Sequence, residues 1–328
     1  MSKQSVDAIL HIVLPVPVRH NFDYLAVAGQ TVQPGMRVQV PFGKSKQAVG
    51  IVVDVSATSK LEKHRLKPVT KVLDEQPLFD QKHLRLLRWA SDYYHYPLGE
   101  LIFSTLPGML KLGKKAVWQE QMIWQLTPEG RLENNGLSVR AIKQRRLVDL
   151  LSLSIAGMSD SELDESTPGW RVAIKILCDK GLVARVFVDA SSVTSEALAD
   201  ITLNDQQQLA FDTIRANLES GKRMLLDGIT GSGKTEIYLE AIKDVIARGK
   251  QVMILVPEIG LTPQLVNRFR QRIHGRMVVL HSALSDGERL AAWLQARDGS
   301  ANIVLGTRSA IWTPLHNPGI YIIDEEHD

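Results

Sequence analysis

The segment Gly228-Ile229-Thr230-Gly231-Ser232-Gly233-Lys234-Thr235 constrains this 328-residue chain more than any other feature. Its glycines let the backbone curl until successive N–H groups point inward at an anion. The apolar run Met224–Leu226 ahead of it reads as a strand, and the stretch from Lys234 onward reads as an amphipathic helix. The positive end of that helix's dipole adds to the anion site. A strand, this loop and a helix in succession are expected to hold ATP, with Gly228, Thr230, Gly231, Ser232 and Gly233 around its phosphates. Lys234 supplies a point charge to the β- and γ-phosphates, and the Thr235 hydroxyl is a ligand for Mg²⁺. Such a loop belongs at the edge of a parallel sheet. The following apolar runs Val252–Val256, Met277–Leu280, Asn302–Leu305 and Tyr321–Ile323, separated by helical segments, predict that sheet. Ser285 and Glu288 stand in capping-box spacing at the head of one of these helices.

The last of these strands ends in Asp324-Glu325-Glu326-His327, about 90 residues after the loop. Carboxylates at a strand's C-terminal end face the crevice where such sheets bind ligands. Asp324 is placed to hold the Mg²⁺ shell and Glu325 to orient an attacking water, so Lys234, Thr235, Asp324 and Glu325 form the expected catalytic set. Upstream, Asn204 is a candidate N-cap, and Gln207 is either an adenine reader through its amide or a surface glutamine.

The front of the chain differs in kind. Ala8–Leu14, Arg37–Val40 and Val49–Val55 are β-branched runs bounded by Pro and Gly, which predicts a small β-sheet or barrel. Gln81–Tyr96 has helical periodicity, Pro97 is expected to end it, and Pro107–Gly113 reads as a linker. Residues 1–118 hold sixteen Lys and Arg against nine Asp and Glu, whereas the rest holds 23 against 27. That asymmetry suits either a polyanion-binding front end or an ordinary solvated surface. Between the two halves, Ala141–Leu151, Ser159–Glu165 and Arg171–Lys180 read as helices. Gly181 reads as a C-cap and Leu182–Val188 as a strand, a winged helix-turn-helix or else a helical spacer. Asp189–Asp200 reads as a linker. The expected fold class is therefore multidomain α/β, with a β-rich domain over 1–113, a winged helix over 118–188 and a phosphate-loop lobe over 198–328. Cys178 stands alone, which excludes an internal disulfide and a cysteine-built metal site. No apolar run approaches the roughly 18 residues of a membrane span and no signal-peptide pattern opens the chain, so a cytoplasmic setting is expected.

With these residues in view, the chain resembles superfamily 2 helicases, and among them the bacterial primosomal replication-restart helicases. The matching segments are Asp227–Glu236, Val256–Gln264, Gly306–Ala310 and Asp324–Asp328, in the expected order, with Phe22–Leu25 and Pro41–Lys44 near the front. The resemblance is weakest over 116–198. It implies an ATP-dependent 3′→5′ DNA helicase that recognises stalled or repaired forks and helps to assemble the primosome. It further implies a RecA-like lobe, and a front domain that captures the 3′ end of a nascent strand through Phe22, Asp23, Gly43 and Lys67. An aromatic ring can stack on the terminal base, a carboxylate can accept from a free 3′-hydroxyl, and a lysine can meet a phosphate. Without the resemblance, core packing of Phe22 is the simpler reading. The winged helix would bind duplex arms, and Pro257, Thr262 and Arg308 would grip single-stranded DNA. Glu258 would order its loop, and His281 would be structural or a DNA contact. Forked and single-stranded DNA, accessory primosomal proteins and single-stranded-DNA-binding protein are the implied partners of a nucleoid-associated monomer.

Relatives of this kind carry a second motor lobe with an arginine finger, and a cysteine cluster for two zinc ions. Neither is in these 328 residues, which are expected to be a fragment that binds DNA without unwinding it. No zinc site is expected in this chain. The competing readings are a fork-binding module without catalysis and another phosphate-loop ATPase.

Overall fold

The computed structural model describes residues 8–27, 29–43, 46–118, 122–132, 137–138, 141–154, 157–158, 160–187, 202–229, 231–273 and 275–325. Residues 1–118 and 195–328 cluster into one compact unit, and residues 119–194 into another.

The larger unit opens with β1 (Ile9–Val13), β2 (Phe22–Leu25), β3 (Arg37–Phe42), β4 (Lys46–Ser56) and β5 (Lys71–Val72). They form one antiparallel sheet in the order β2-β1-β4-β3-β5. Side chains alternate across the pleat, so the sheet builds two cores. Leu10, Ile12, Val38, Val40 and Val52 fill one. Val13, Ile51 and Val53 fill the other, against α1 (Gln81–Tyr93), α2 (Leu98–Thr105) and α3 (Gly108–Lys111). Asp80 caps α1 by accepting from the His83 N–H at 2.7 Å. Three local expectations change here. The first helix stops at Tyr93 rather than Tyr96, and Pro97 instead opens α2. The expected linker at 107–113 contains α3, because Leu106 and Leu110 are buried in the core. The short strands β2 and β5, too brief and mixed to show a period, were absent from the expected set.

In the smaller unit β6 (Met122–Leu126) pairs antiparallel with β7 (Val183–Phe187), and α4 (Ile142–Leu153), α5 (Asp160–Ser166) and α6 (Trp170–Asp179) accompany them. Leu147, Leu151, Leu163, Trp170, Ile174 and Leu177 form its core. Gly181 takes φ +71° after α6, where the Leu182 N–H reaches the Leu177 carbonyl, the expected C-cap geometry. Ser159, Val188 and the expected linker up to Asp200 lie outside the described residues.

The rest of the larger unit is α7 (Asp205–Asn217), α8 (Lys234–Ala247), β8 (Gln251–Leu255), α9 (Pro263–Arg272), β9 (Met277–Leu280), α10 (Asp286–Asp298), β10 (Ile303–Gly306) and β11 (Pro318–Ile323). The four strands are parallel, in the order β11-β8-β10-β9. β8 and β10 are wholly buried, as apolar runs in a parallel sheet must be. The run Met224–Leu226 is not a strand; Leu225 is 76% exposed and Ile229 83%. Three apolar residues bury too little to define a strand without a paired neighbour, and the described residues provide no ladder for them. No described helix is long and apolar enough to cross a membrane.

α10 joins the two sheets of the larger unit. Ala292 and Ala296 pack on β9 and β10, while Leu290, Trp293 and Leu294 enter the core made by β1, β4 and α1–α3. Arg297 donates to the Pro77 carbonyl at 2.7 Å and the Leu78 carbonyl at 3.0 Å.

Candidate nucleic-acid and nucleotide sites

A cavity of about 1060 Å³ lies at the β2 edge of the antiparallel sheet, and Phe22, Asp23, Gly43 and Lys67 all line it. Phe22 and Asp23 come from β2, Gly43 from the turn after β3, and Lys67 from the segment ahead of β5. One strand, one turn and one connecting segment thus bring residues up to 45 positions apart to one place. The Phe22 ring meets Phe42 edge to face at 5.3 Å and His20 at 5.0 Å, so it is braced at the wall and stays half-buried. Gly43 has φ +69° with open space around an added Cβ, so its backbone, not its size, calls for glycine. Arg19, Lys60, Arg65 and Lys67 line the same cavity as Asp23, the one carboxylate among its described lining residues. An aromatic face, a carboxylate acceptor and several cations suit a base, a hydroxyl and phosphates respectively.

The glycine-rich loop lies in the other part of the larger unit. Gly231 and Gly233 have φ +83° and +85°, where a side chain would be strained. A Cβ on Gly228 would stand 2.8 Å from Ser232 Oγ. Gly233 is the N-cap of α8 with no side-chain cap, so the first N–H groups after it remain for an anion. Thr235 sits in that first turn, and Lys234 Nζ donates to the Gly228 carbonyl across the loop. Thr230 lies outside the described residues. Gln207 completes a capping box on α7: its Oε1 accepts from the Asn204 N–H at 3.0 Å, and its backbone N–H donates to Asn204 Oδ1 at 2.9 Å. Its Nε2 donates to the Ser232 carbonyl at 3.0 Å. Gln207 therefore touches the loop, with both ends of its amide engaged by protein.

β11 ends at Ile323, and the Asp324 N–H donates to the Leu255 carbonyl at 2.9 Å, which keeps Asp324 in line with the sheet. Glu325 follows with φ +50°, an uncommon conformation for a residue with a Cβ. Tyr238 lies one turn along α8 from Lys234, and its hydroxyl is pushed above its ordinary pKa by burial, then by the charges of Asp324 and Glu325. The acids therefore act on the same helix that begins with Lys234 and Thr235. Glu326 and His327 lie outside the described residues.

Pro257, Thr262 and Arg308 follow β8 and β10, whose C-terminal ends are drawn together by the Val256 N–H donating to the Gly306 carbonyl at 3.0 Å. Arg308 is exposed at the start of a 3₁₀ turn. The Thr262 hydroxyl oxygen caps α9 by accepting from the Leu265 N–H at 3.2 Å. Glu258 begins the short 3₁₀ turn after Pro257. His281 Nδ1 accepts from the Ala283 N–H at 3.2 Å, and Arg289 donates to the carbonyls of His281 and Ser282, a loop-bracing arrangement. Sequence reasoning passed over Glu236, buried on α8, where Arg268 and Arg272 donate to its two oxygens at 2.8 and 2.7 Å. It also passed over His11, whose only signal is a polar residue amid the apolar run of β1.

Two families match in chain order. Residues 11–107 match the 3′ DNA-binding domain of PriA, and residues 204–328 match the DEAD/DEAH box helicases. Replication restart protein PriA of Haemophilus influenzae is 39% identical over 98% of this chain and 44% of its own length. Its counterpart in Bacillus subtilis is 32% identical over 90% of this chain and 45% of its own length. The Synechocystis protein is 33% identical over 94% and 46%. The chain spans a little under half the length of the curated relatives it matches. With a 3′ DNA-binding domain followed by a helicase domain, the chain belongs to the PriA replication restart family and corresponds to the N-terminal portion of its members.

Proposed function

We propose that this chain is the fork-recognising and nucleotide-binding portion of an ATP-dependent 3′→5′ DNA helicase that restarts replication. The observation that carries the proposal is the cavity that gathers Phe22, Asp23, Gly43 and Lys67 beside Arg19, Lys60 and Arg65. In this reading Phe22 stacks on the terminal base, Asp23 accepts from its 3′-hydroxyl, and Lys67 meets a phosphate. The glycine loop with Lys234 and Thr235 would hold ATP and Mg²⁺, which supply the energy-yielding phosphoanhydride and the charge neutralisation. Asp324 would share the metal shell and Glu325 would orient water; their proximity to Tyr238 on α8 supports this. Gln207 would read adenine by exchanging its bond to Ser232. Pro257, Thr262 and Arg308 would track single-stranded DNA along the ends of β8 and β10.

The smaller unit would act as a winged helix on duplex arms, supported by three helices, the β6–β7 ribbon and exposed Arg171, Val172 and Lys175 on α6. Domain limits of 1–113, 118–188 and 198–328, a monomeric cytoplasmic state and contacts with primosomal and single-stranded-DNA-binding proteins belong to the same proposal. The test is fluorescence-anisotropy binding to forks whose leading strand ends in a 3′-hydroxyl or a dideoxy terminus. The hydroxyl-ended fork should bind more tightly. Lys67→Ala should weaken that fork about tenfold and lower its salt slope by about one. Equal affinity for both forks would defeat the proposal.

A further inference from the structure

We infer that His11, together with Ser59, is a positioning residue that holds the Asp23 carboxylate in the orientation needed to accept from a 3′-hydroxyl; this rests on the reading of the cavity as a 3′-end site. His11 lies directly opposite Asp23 in the β1–β2 ladder, which places their side chains on one face. The pairing of β1 with β4 slips immediately after it, between His11 and Ile12, the kind of irregularity that re-aims a side chain.

The hydrogen bonds hold the carboxylate from both sides. His11 Nδ1 is 2.7 Å from Asp23 Oδ1, and Nε2 is 2.9 Å from Ser56 Oγ. The Ser56 hydroxyl already donates to the Thr58 carbonyl at 2.7 Å. Ser59 donates to Asp23 Oδ2, while its own oxygen accepts from the Leu61 N–H at 2.9 Å. An ionised carboxylate only accepts, so Nδ1 is the donor toward Asp23, as the Ser59 hydroxyl is on the other oxygen. Each Asp23 oxygen receives one bond and keeps further acceptor capacity for a ligand.

The need for such a tether follows from the neighbours. Arg19, Lys60, Arg65 and Lys67 line the same cavity, and a freely rotating carboxylate would swing to whichever cation gave the best ion pair. Held by His11 and Ser59, Asp23 stays an acceptor for a neutral hydroxyl and leaves the cations for phosphates. The tether therefore governs discrimination between ends rather than overall affinity for DNA.

The experiment measures affinities of the 328-residue chain for hydroxyl-ended and dideoxy-ended forks and takes their ratio. His11→Ala and Ser59→Ala should each lower the ratio about fivefold, the weight of one hydrogen bond, while affinity for the dideoxy fork stays within about twofold. His11→Asn, whose amide N–H can stand near the position of Nδ1, should restore most of the ratio. Asp23→Asn should abolish it. Should Asp23→Asn abolish the ratio while His11→Ala and Ser59→Ala leave it intact, the positioning role is wrong and the 3′-end site stands. Should Asp23→Asn leave the ratio intact, the 3′-end site itself is wrong. Equal weakening of both forks by His11→Ala and Ser59→Ala would reduce the pair to a structural role and overturn the inference. Ser59 lies outside the sheet core, so its variant remains informative if His11→Ala disturbs β1.

Discussion

Arg37 has no exposed surface, yet it sits in the middle of an apolar sheet because its guanidinium is matched on several sides. Asp74 takes Nε and Nη2, and the carbonyls of Leu110 and Lys114 take Nη1 at 2.8 and 2.9 Å. Removing the acid would leave a buried cation without its counter-charge. Asp74→Ala should therefore cost about 3–5 kcal/mol in urea unfolding of the larger unit. A loss below about 1 kcal/mol would mean that water reaches the pair. This ion pair was not legible in the sequence, where an arginine opening a valine-rich strand looks like a surface residue. The cavity residues were legible for a different reason: Phe22-Asp23 and Gly43 lie in short segments that resemble a known family, and Lys67 was nominated with them. His11 shows the limit of that route, because its role depends on a partner across the sheet and not on its neighbours in the chain.

Among elements, the parallel strands were easy to anticipate because burial on both faces makes them continuous apolar runs, and β8, β9 and β10 appear within a residue or two of the expected limits. The Ser285–Glu288 box at the head of α10 is likewise present in full. Met224–Leu226 had the same composition but no strand beside it, which shows that a run of this length takes its structure from its neighbours. α10 carries a property that its pattern does not reveal. One face packs on the parallel sheet and the other completes the core beneath the antiparallel sheet. Leu294→Ala should cost about 2–5 kcal/mol. It should also speed hydrogen exchange of the β1 and β4 amides, although those strands lie in the distant first part of the chain. Exchange rates in β1 and β4 that match the unaltered protein would show that the two sheets open independently.

For the molecule as a whole, the joining of residues 1–118 with 195–328 depends on contacts between remote segments that share a core. The junction contains a titratable group. His83 on α1 stacks on Phe79 at 5.2 Å, and Phe79 meets Trp293 of α10 edge to face at 5.8 Å. Burial lowers the pKa of His83 to about 4, against the opposing pull of Asp80 and of a backbone hydrogen bond with Trp312. Its Nε2 is buried with no hydrogen-bond partner among the described residues, as is Trp293 Nε1, so a charged ring would be poorly compensated there. The unfolded chain, with an ordinary imidazole near 6.5, binds more protons than the folded one between the two values. Stability at this junction is therefore complete above about pH 6.5 and falls as the pH drops toward 4. Relative to His83→Leu, which cannot titrate, the unaltered chain should lose up to about 3 kcal/mol of unfolding free energy across that window and nothing further below it. The comparison cancels the carboxylates common to both proteins. Parallel stability curves for the two from pH 7 to 4 would show that the imidazole can be protonated in place, and that the junction between the antiparallel and parallel sheets admits water.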